Sequence, residues 1–374
     1  MSPHDAGNQV ADDPDANDPD ANDPDANDPG NADDAAWMAK AVEIGETVRM
    51  STSPNPWVGA VVVRTSRSGR SDAADVWSGA TAPPGGAHAE AAALAAAGTN
   101  ARGATVYVTL EPCSHHGRTP PCADALVDAG VARVVVGVVD PDAKVAGRGI
   151  EKLREAGIQV DVGVSSNAVE SSLAPYLKHR REGRPWVVLK LAGTLDGRIA
   201  APDGTSKWIT GPEARADAHG LRAASDAIVV GAGTVRADDP ALTVRDAAGH
   251  DPLRIVLGAP GSVDPESKVH PADFHDGSLA DLLDELGSRG VLQLLVEGGA
   301  RVAGDFHRQG LVDQYTFYFA PALMGGDDGL AMFAGPGAKS MSSVPRGRVV
   351  SVQRLGSDLR VDLLAPRRCG QPED

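Results

Sequence analysis

The chain has 374 residues, more than one hydrophobic core usually serves, so two domains are expected. A composition of 42% hydrophobic and 23% charged residues, with no apolar run long enough for a spanning helix, excludes a helical membrane protein and points to a soluble, cytoplasmic one. The net charge of −16 says little about partners, because eleven of the acids are aspartates at or before position 34 and the remainder carries only about −5.

Residues 1–36 contain no Lys or Arg and few apolar residues, which excludes a secretory or mitochondrial targeting segment. They repeat Asp-Pro-Asp-Ala-Asn from Asp13 to Asn27 and are expected to form a disordered acidic leader with nothing to bury. Trp37, Ala41, Ile44 and Val48 recur at helical spacing and predict an amphipathic helix opening the ordered part. A strand is expected over 58–63, a helix over 88–97, a strand over 105–109, a helix from Pro121, a strand over 134–139, and helices near 148–156 and 168–178. The charged stretch from His179 to Pro185 predicts the domain junction, giving a first domain over 37–183. A second domain over 184–366 should hold strands at 186–192, 227–230, 253–257, 292–296, 314–320, 349–354 and 359–364, with a frayed tail at 367–374. Both halves therefore read as α/β, a sheet covered by helices.

Three cysteines, Cys113, Cys122 and Cys369, are too few for a disulfide framework. Two of them have company that suits a metal. His88-Ala89-Glu90 opens an Ala-rich helix, and Cys113 and Cys122 lie between a strand and the next helix. One imidazole and two thiolates can hold Zn²⁺ and leave a fourth position for water, whose pKa falls to roughly 7 on the metal. Glu90 stands close enough to move that water's proton to a ring nitrogen and a departing amine. A closed structural site, completed by His115 or His116, is the rival reading. The eight residues between the cysteines, where two are usual in such deaminases, are polar and partly cationic and suit an anionic substrate.

These residues resemble the bifunctional riboflavin-biosynthesis deaminase/reductase family. The resemblance is carried by Pro54-Asn55-Pro56-Trp57-Val58-Gly59, by His88-Ala89-Glu90, by the run from Glu111 to Cys122, and by Val145-Ala146-Gly147-Arg148-Gly149. It continues through Lys190-Leu191, the run from Thr194 to Arg198, Trp208-Ile209-Thr210, the run from Ala237 to Arg245, and Glu297-Gly298-Gly299. It implies a cytidine-deaminase-like domain followed by a dihydrofolate-reductase-like domain, each a mixed sheet covered by helices. The implied reactions are zinc-dependent hydrolytic deamination of 2,5-diamino-6-(5-phosphoribosylamino)pyrimidin-4-one, then NADPH-dependent reduction of its ribosyl group to ribityl.

Carried over, His88, Cys113 and Cys122 bind zinc and Glu90 is catalytic, while Asn55 seats the substrate or is simply a turn former. In the second domain the resemblance implies substrate contacts from Ser206, Arg222, Leu242, Arg245 and Glu297. It implies NADPH contacts from Ala192, Trp208, Thr234, Asp238 and the segment Gly299, Ala300, Arg301, Val302, Ala303, Gly304 and Asp305. Asp142 and Ala143 stand where the family often has Asn and Pro. The partner is a small pyrimidine ribose phosphate, with no nucleic acid or membrane, and assembly of identical chains is left open. A nucleic-acid base deaminase would want a basic groove with aromatics, but this chain is acidic and 4% aromatic. Gly231-Ala232-Gly233-Thr234 lacks the third glycine of a Rossmann fingerprint.

Overall fold

The computed structural model describes residues 29–64, 74–115, 120–245 and 249–366. The repeat leader up to residue 28, the segment 116–119 of the inter-cysteine loop, and the tail with Cys369 lie outside the described residues. Helix α1 spans Pro29–Glu46 and so begins inside the stretch expected to be disordered. The reason is Asp34, a buried side chain that meets Arg133 and Tyr107 across the fold. A short helix, α2, follows at Arg49–Thr52.

The first sheet contains β1 (Gly59–Arg64), β2 (Asp75–Ala80), β3 (Thr105–Leu110), β4 (Arg133–Val138) and β5 (Gln159–Val162), in the order β2-β1-β3-β4-β5. β1 runs antiparallel to both β2 and β3, whereas β3, β4 and β5 are parallel, so the sheet is mixed. Helices α3 (Ala89–Ala97), α4 (Cys122–Ala129), α5 (Arg148–Glu155) and α6 (Ser166–Glu182) connect and cover it. Small residues let helix and strand touch: a Cβ on Gly59 would stand 1.9 Å from the Ala41 carbonyl oxygen of α1, and one on Gly79 would stand 2.4 Å from Ala93 N of α3. The valines of β1, β3 and β4 fill the core between these layers.

The second sheet has eight strands in the order β10-β9-β8-β11-β6-β12-β15-β14. They are β6 (Trp186–Thr194), β8 (Ala227–Gly231), β9 (Leu253–Leu257), β10 (Asp273–His275), β11 (Gln293–Val296), β12 (Gln314–Ala320), β14 (Arg348–Leu355) and β15 (Asp358–Leu364). All neighbours are parallel except β12–β15 and β15–β14. Two short strands, β7 (Arg198–Ala200) and β13 (Leu330–Ala331), pair separately. The helices are α7 (Pro212–Ala223), α8 (Ala232–Asp238), α9 (Leu279–Ser288) and α10 (Ala300–Arg308).

The two sheets are joined by more than the chain. Only residues 183–185 separate α6 from β6. Beside them Lys178 Nζ donates to Asp313 Oδ2 at 2.5 Å, and the same oxygen accepts from Val187 N at 2.7 Å. A Cβ on Gly287 would fall 1.8 Å from the Gly183 carbonyl oxygen, so backbone lies on backbone there. Arg49 stacks over Trp57 and donates to Gln293 of β11 at 2.9 Å.

Candidate active sites

His88 is the N-cap of α3, with extended backbone and no side-chain capping hydrogen bond. Cys113 follows β3, and Cys122 is the first residue of α4. The chain folds the two cysteines together through backbone: Cys122 N donates to Cys113 Sγ at 3.3 Å, and Ala123 N donates to the Cys113 carbonyl at 3.1 Å. His88 Nδ1 lies 3.6 Å from Cys113 Sγ and 3.3 Å from Cys122 Sγ. Tetrahedral Zn²⁺, with Zn–S near 2.3 Å and Zn–N near 2.0–2.1 Å, separates such ligands by about 3.6 Å. The three side chains therefore fit zinc. Among the described residues His115 does not join this cluster, and His116 lies outside them.

The Cys113 thiol is pushed down to about 4, first by its hydrogen bond with Cys122 and then, against burial, by His88. Cys122 moves the other way, because the same hydrogen bond and its burial both hold its proton. Glu90, in the first turn of α3, is 4% exposed. Burial pushes its carboxyl up to about 7. Asn55 sits half-buried in the turn after α2, its N–H on the Thr52 carbonyl at 2.8 Å.

One residue of this site had no role in the sequence reading. The buried carboxylate of Glu111, two residues before Cys113, accepts from four backbone N–H groups: Asp140 at 3.2 Å, Gly147 at 2.9 Å, Gly149 at 2.9 Å and Ile150 at 3.3 Å. The run Val145–Gly149 closes around it, and Gly149 is needed because a Cβ there would meet the Pro112 carbonyl oxygen at 1.9 Å. A glutamate followed by Pro-Cys, with a glycine-rich turn ahead of a later helix, is the pattern that could have revealed it. Asp140 accepts from the Tyr176 hydroxyl at 3.1 Å, and Asp142 pairs with Arg180 at 3.6 Å, so this loop is also tied to α6.

In the second domain Glu297 and Gly299 follow the C-terminal end of β11 and Thr234 follows that of β8, the ends at which open α/β sheets bind ligands. Glu297, just past β11, takes a two-pronged hydrogen bond from Arg222 of α7 at 2.7 and 3.0 Å, with Lys190 Nζ of β6 at 3.8 Å. Burial alone would raise its pKa, yet Lys190 and Arg222 hold it down to about 2. Arg222 is thus committed to a carboxylate, while Arg245 is exposed and its backbone N donates to His219 Nδ1 at 3.3 Å. Leu242 is buried in left-handed backbone, and the Thr243 carbonyl accepts from Arg222 at 3.3 Å.

Thr234 Oγ1 accepts from Gly299 N at 3.2 Å, linking the starts of α8 and α10. Asp238 pairs with Lys207 at 3.1 Å, next to Ser206 and to Trp208, which is 72% exposed under the Arg215 guanidinium. Ala192 of β6 lies opposite Tyr318. Of the segment from Gly299 to Asp305, Ala300, Ala303 and Gly304 are buried, whereas Arg301 and Asp305 are exposed. Val302 and Asp305 line a cleft of about 380 Å³ whose other walls include Leu257, Gly258, His275 and Asp276. It opens at the C-terminal ends of β9 and β10.

Residues 31–138 match the family model for the cytidine and deoxycytidylate deaminase zinc-binding region, and residues 185–361 match that for the RibD C-terminal domain. The riboflavin biosynthesis protein RibD of Escherichia coli K12 is 38% identical over 372 residues, covering 88% of this chain and 99% of that protein. RibD of Mycobacterium tuberculosis H37Rv is 41% identical over 338 residues, covering 88% and 96%. The solved structure of Acinetobacter baumannii RibD, form 1, superposes with a TM-score of 0.81 at 36% identity, covering 90% of this chain and 100% of that one. A Thermotoga maritima diaminohydroxyphosphoribosylaminopyrimidine deaminase/5-amino-6-(5-phosphoribosylamino)uracil reductase superposes with a TM-score of 0.79 at 34% identity, with the same coverage. With a three-ligand zinc cluster in one domain, a second site at the strand ends of the other, and relatives matched along nearly their whole length, the chain belongs to the RibD family of riboflavin-biosynthesis deaminase/reductases.

Proposed function

We propose that the two sites act in turn on one small molecule, 2,5-diamino-6-(5-phosphoribosylamino)pyrimidin-4-one, first releasing its 2-amino group as ammonia and then reducing its ribosyl group to ribityl. The observation that carries this reading is the buried Glu90 beside the half-buried and buried ligands His88, Cys113 and Cys122. Those three hold Zn²⁺, which supplies the Lewis acidity that lowers the pKa of a water to roughly 7. Glu90 takes one proton from the attacking water and delivers it to the ring nitrogen, then takes the second from the added hydroxyl and gives it to the amine, so that the carbon–nitrogen bond breaks to leave a carbonyl and ammonia. Its burial excludes bulk water from competing for that proton. Asn55 seats the pyrimidine.

In the second site NADPH supplies the hydride. Val302 and Asp305, in the wall of the cleft, would hold its adenosine half, and Trp208 and Ala192 its nicotinamide half. Thr234, Asp238 and the segment beginning at Gly299 orient the cofactor between them. The pair Arg222–Glu297, with Lys190, Ser206, Leu242 and Arg245, positions the sugar phosphate.

We also infer that the first domain runs from α1 to residue 183 and the second from 184 to 366, and that the protein works in the cytoplasm. Among the described residues no helix is long and apolar enough to cross a membrane. Self-association is inferred through β14, an edge strand that leaves Val349, Val350 and Val352 open to solvent. Ammonia release should proceed without NADPH, and NADPH oxidation should require the deaminated product; oxidation that precedes ammonia release would reverse the proposed order.

A further inference from the structure

The turn that carries Asn55 rests on the other domain. Asn55 lies between Thr52, whose carbonyl accepts its N–H, and Trp57, which is 4% exposed. Just before it, the Pro54 Cβ lies 3.9 Å from where a Cβ on Gly290 would stand. The Arg49 guanidinium carbon stands 4.7 Å from the Trp57 ring centre. Neither the Arg49 Nε nor the Trp57 indole N–H has a hydrogen-bond partner, so the contact is the stack itself. The guanidinium in turn donates to Gln293 Oε1 at 2.9 Å and reaches Glu46 at the longer distance of 3.5 Å.

Gln293 is fixed from behind. It is 4% exposed, and its amide nitrogen donates to Ser225 Oγ at 3.0 Å, which leaves the amide oxygen for Arg49. Ser225 Oγ is itself committed to the Leu221 carbonyl at 2.8 Å. The backbone N–H groups of Leu292 and Gln293 both donate to Asp226 Oδ2, at 2.8 and 3.0 Å. Leu292, 1% exposed, packs in the core formed by the first domain although it lies in the second. A charge-assisted hydrogen bond between held partners is stronger than a neutral one, and a small displacement of a substrate-positioning group is enough to be felt in turnover. We propose that Arg49 and Gln293 are positioning residues for deamination: the start of β11 sets, through Arg49 and Trp57, the turn from which Asn55 seats the pyrimidine. The inference rests on that role of Asn55. Glu297 follows the opposite end of β11, so reduction should not sense the contact.

Steady-state ammonia release by the full, zinc-loaded chain tests it, with melting temperature and reduction of supplied deaminated product measured on the same preparations. Gln293→Leu should raise the KM of deamination about tenfold, the loss expected of one charged hydrogen bond, with kcat, zinc content and reduction within about twofold. Gln293→Glu, which keeps the acceptor, should bring KM back to within about twofold of wild type. Arg49→Ala should raise KM at least as much, and adding Gln293→Leu to it should raise KM no further, because both act through one contact. Effects of the two changes that multiply would overturn the proposal. So would a lowered melting temperature in Gln293→Leu or Arg49→Ala with KM unmoved, the signature of a purely structural contact. Asn55→Ala separates the two readings: a raised KM there with no change in Gln293→Leu and Arg49→Ala keeps the seat and removes the positioning pair. A KM indifferent to Asn55→Ala removes the seat itself, and the proposal falls with it.

Discussion

Asp34 and Arg133 meet side by side, Nη1 to Oδ1 at 2.9 Å and Nη2 to Oδ2 at 2.7 Å, fastening the first helix to the start of β4. The Tyr107 hydroxyl donates to the same carboxylate at 2.7 Å. Deleting residues 1–28 should therefore leave both activities and the melting temperature unchanged, whereas Asp34→Ala should destabilise the first domain by about 1.5–3 kcal/mol. Although burial opposes it, Arg133 and Tyr107 hold the Asp34 pKa below its ordinary 3.8. The contribution is thus complete above that value and is lost as pH falls through the lower folded pKa. Thermal melts of wild type and Asp34→Ala that converge at strongly acidic pH would agree; a constant gap down to pH values well below 3.8 would not.

Glu90→Gln should keep zinc and lose deamination by roughly 10²- to 10⁴-fold. Reduction of independently supplied deaminated product should continue at the wild-type rate. Metal analysis, ammonia release and NADPH oxidation on the same preparation separate the three properties. Zinc lost along with activity would make Glu90 a ligand instead. The double variant Cys113→Ala, Cys122→Ala should hold no zinc, and full zinc occupancy in it would remove those ligands.

Arg222 and Arg245 should behave differently despite their shared charge. Arg245 is exposed, so Arg245→Ala should raise KM, by about 1.5–3 kcal/mol if one charged hydrogen bond is lost, and leave the melting temperature alone. Arg222→Ala strands the buried Glu297 carboxylate with only the more distant Lys190 and should cost about 3–5 kcal/mol of stability. Adding Glu297→Gln should return part of that stability without restoring reduction. Equal melting temperatures for all three variants would show that the pair carries no structural load.

The Lys178–Asp313 pair spans the two domains and is largely buried. Lys178→Ala should destabilise by about 3–5 kcal/mol, because Asp313 is left uncompensated, while Lys178→Met with Asp313→Asn should recover much of it. A reductase fragment starting at residue 184 leaves Asp313 in the same condition and should melt below the reductase transition of the whole chain. Differential scanning calorimetry reads both effects, and a fragment as stable as the parent would show that the domains are energetically independent.

Much of this architecture is legible in the residues because the central strands are buried on both faces and read as apolar runs. β3, β4, β9 and β12 stand within a residue of their expected bounds. The elements that escaped are those whose burial is one-sided or brief. β2 is an edge strand with exposed Asp75, Val76 and Ser78, β10 has three residues, and α7 carries alanines and charges with no strong apolar stripe. The zinc ligands were readable because each sits at an element boundary that sequence pattern marks. The partners of Arg222 were not, since contacts between residues so far apart in sequence exist only once β8 and β11 are laid side by side.

The glycine-rich turn around Glu111 looks, as a string of letters, like a grip for somebody else's phosphate. Its backbone donors are already engaged, because the protein has supplied its own anion from the strand that leads to Cys113. The turn is a buckle, not a receptor: it clasps the edge of the metal-binding segment to the helix behind it, and any arriving substrate finds the clasp shut. Whatever charge that substrate carries must be answered by side chains elsewhere around the site, so engineering the deaminase towards a differently charged substrate should leave Glu111 and Gly149 untouched.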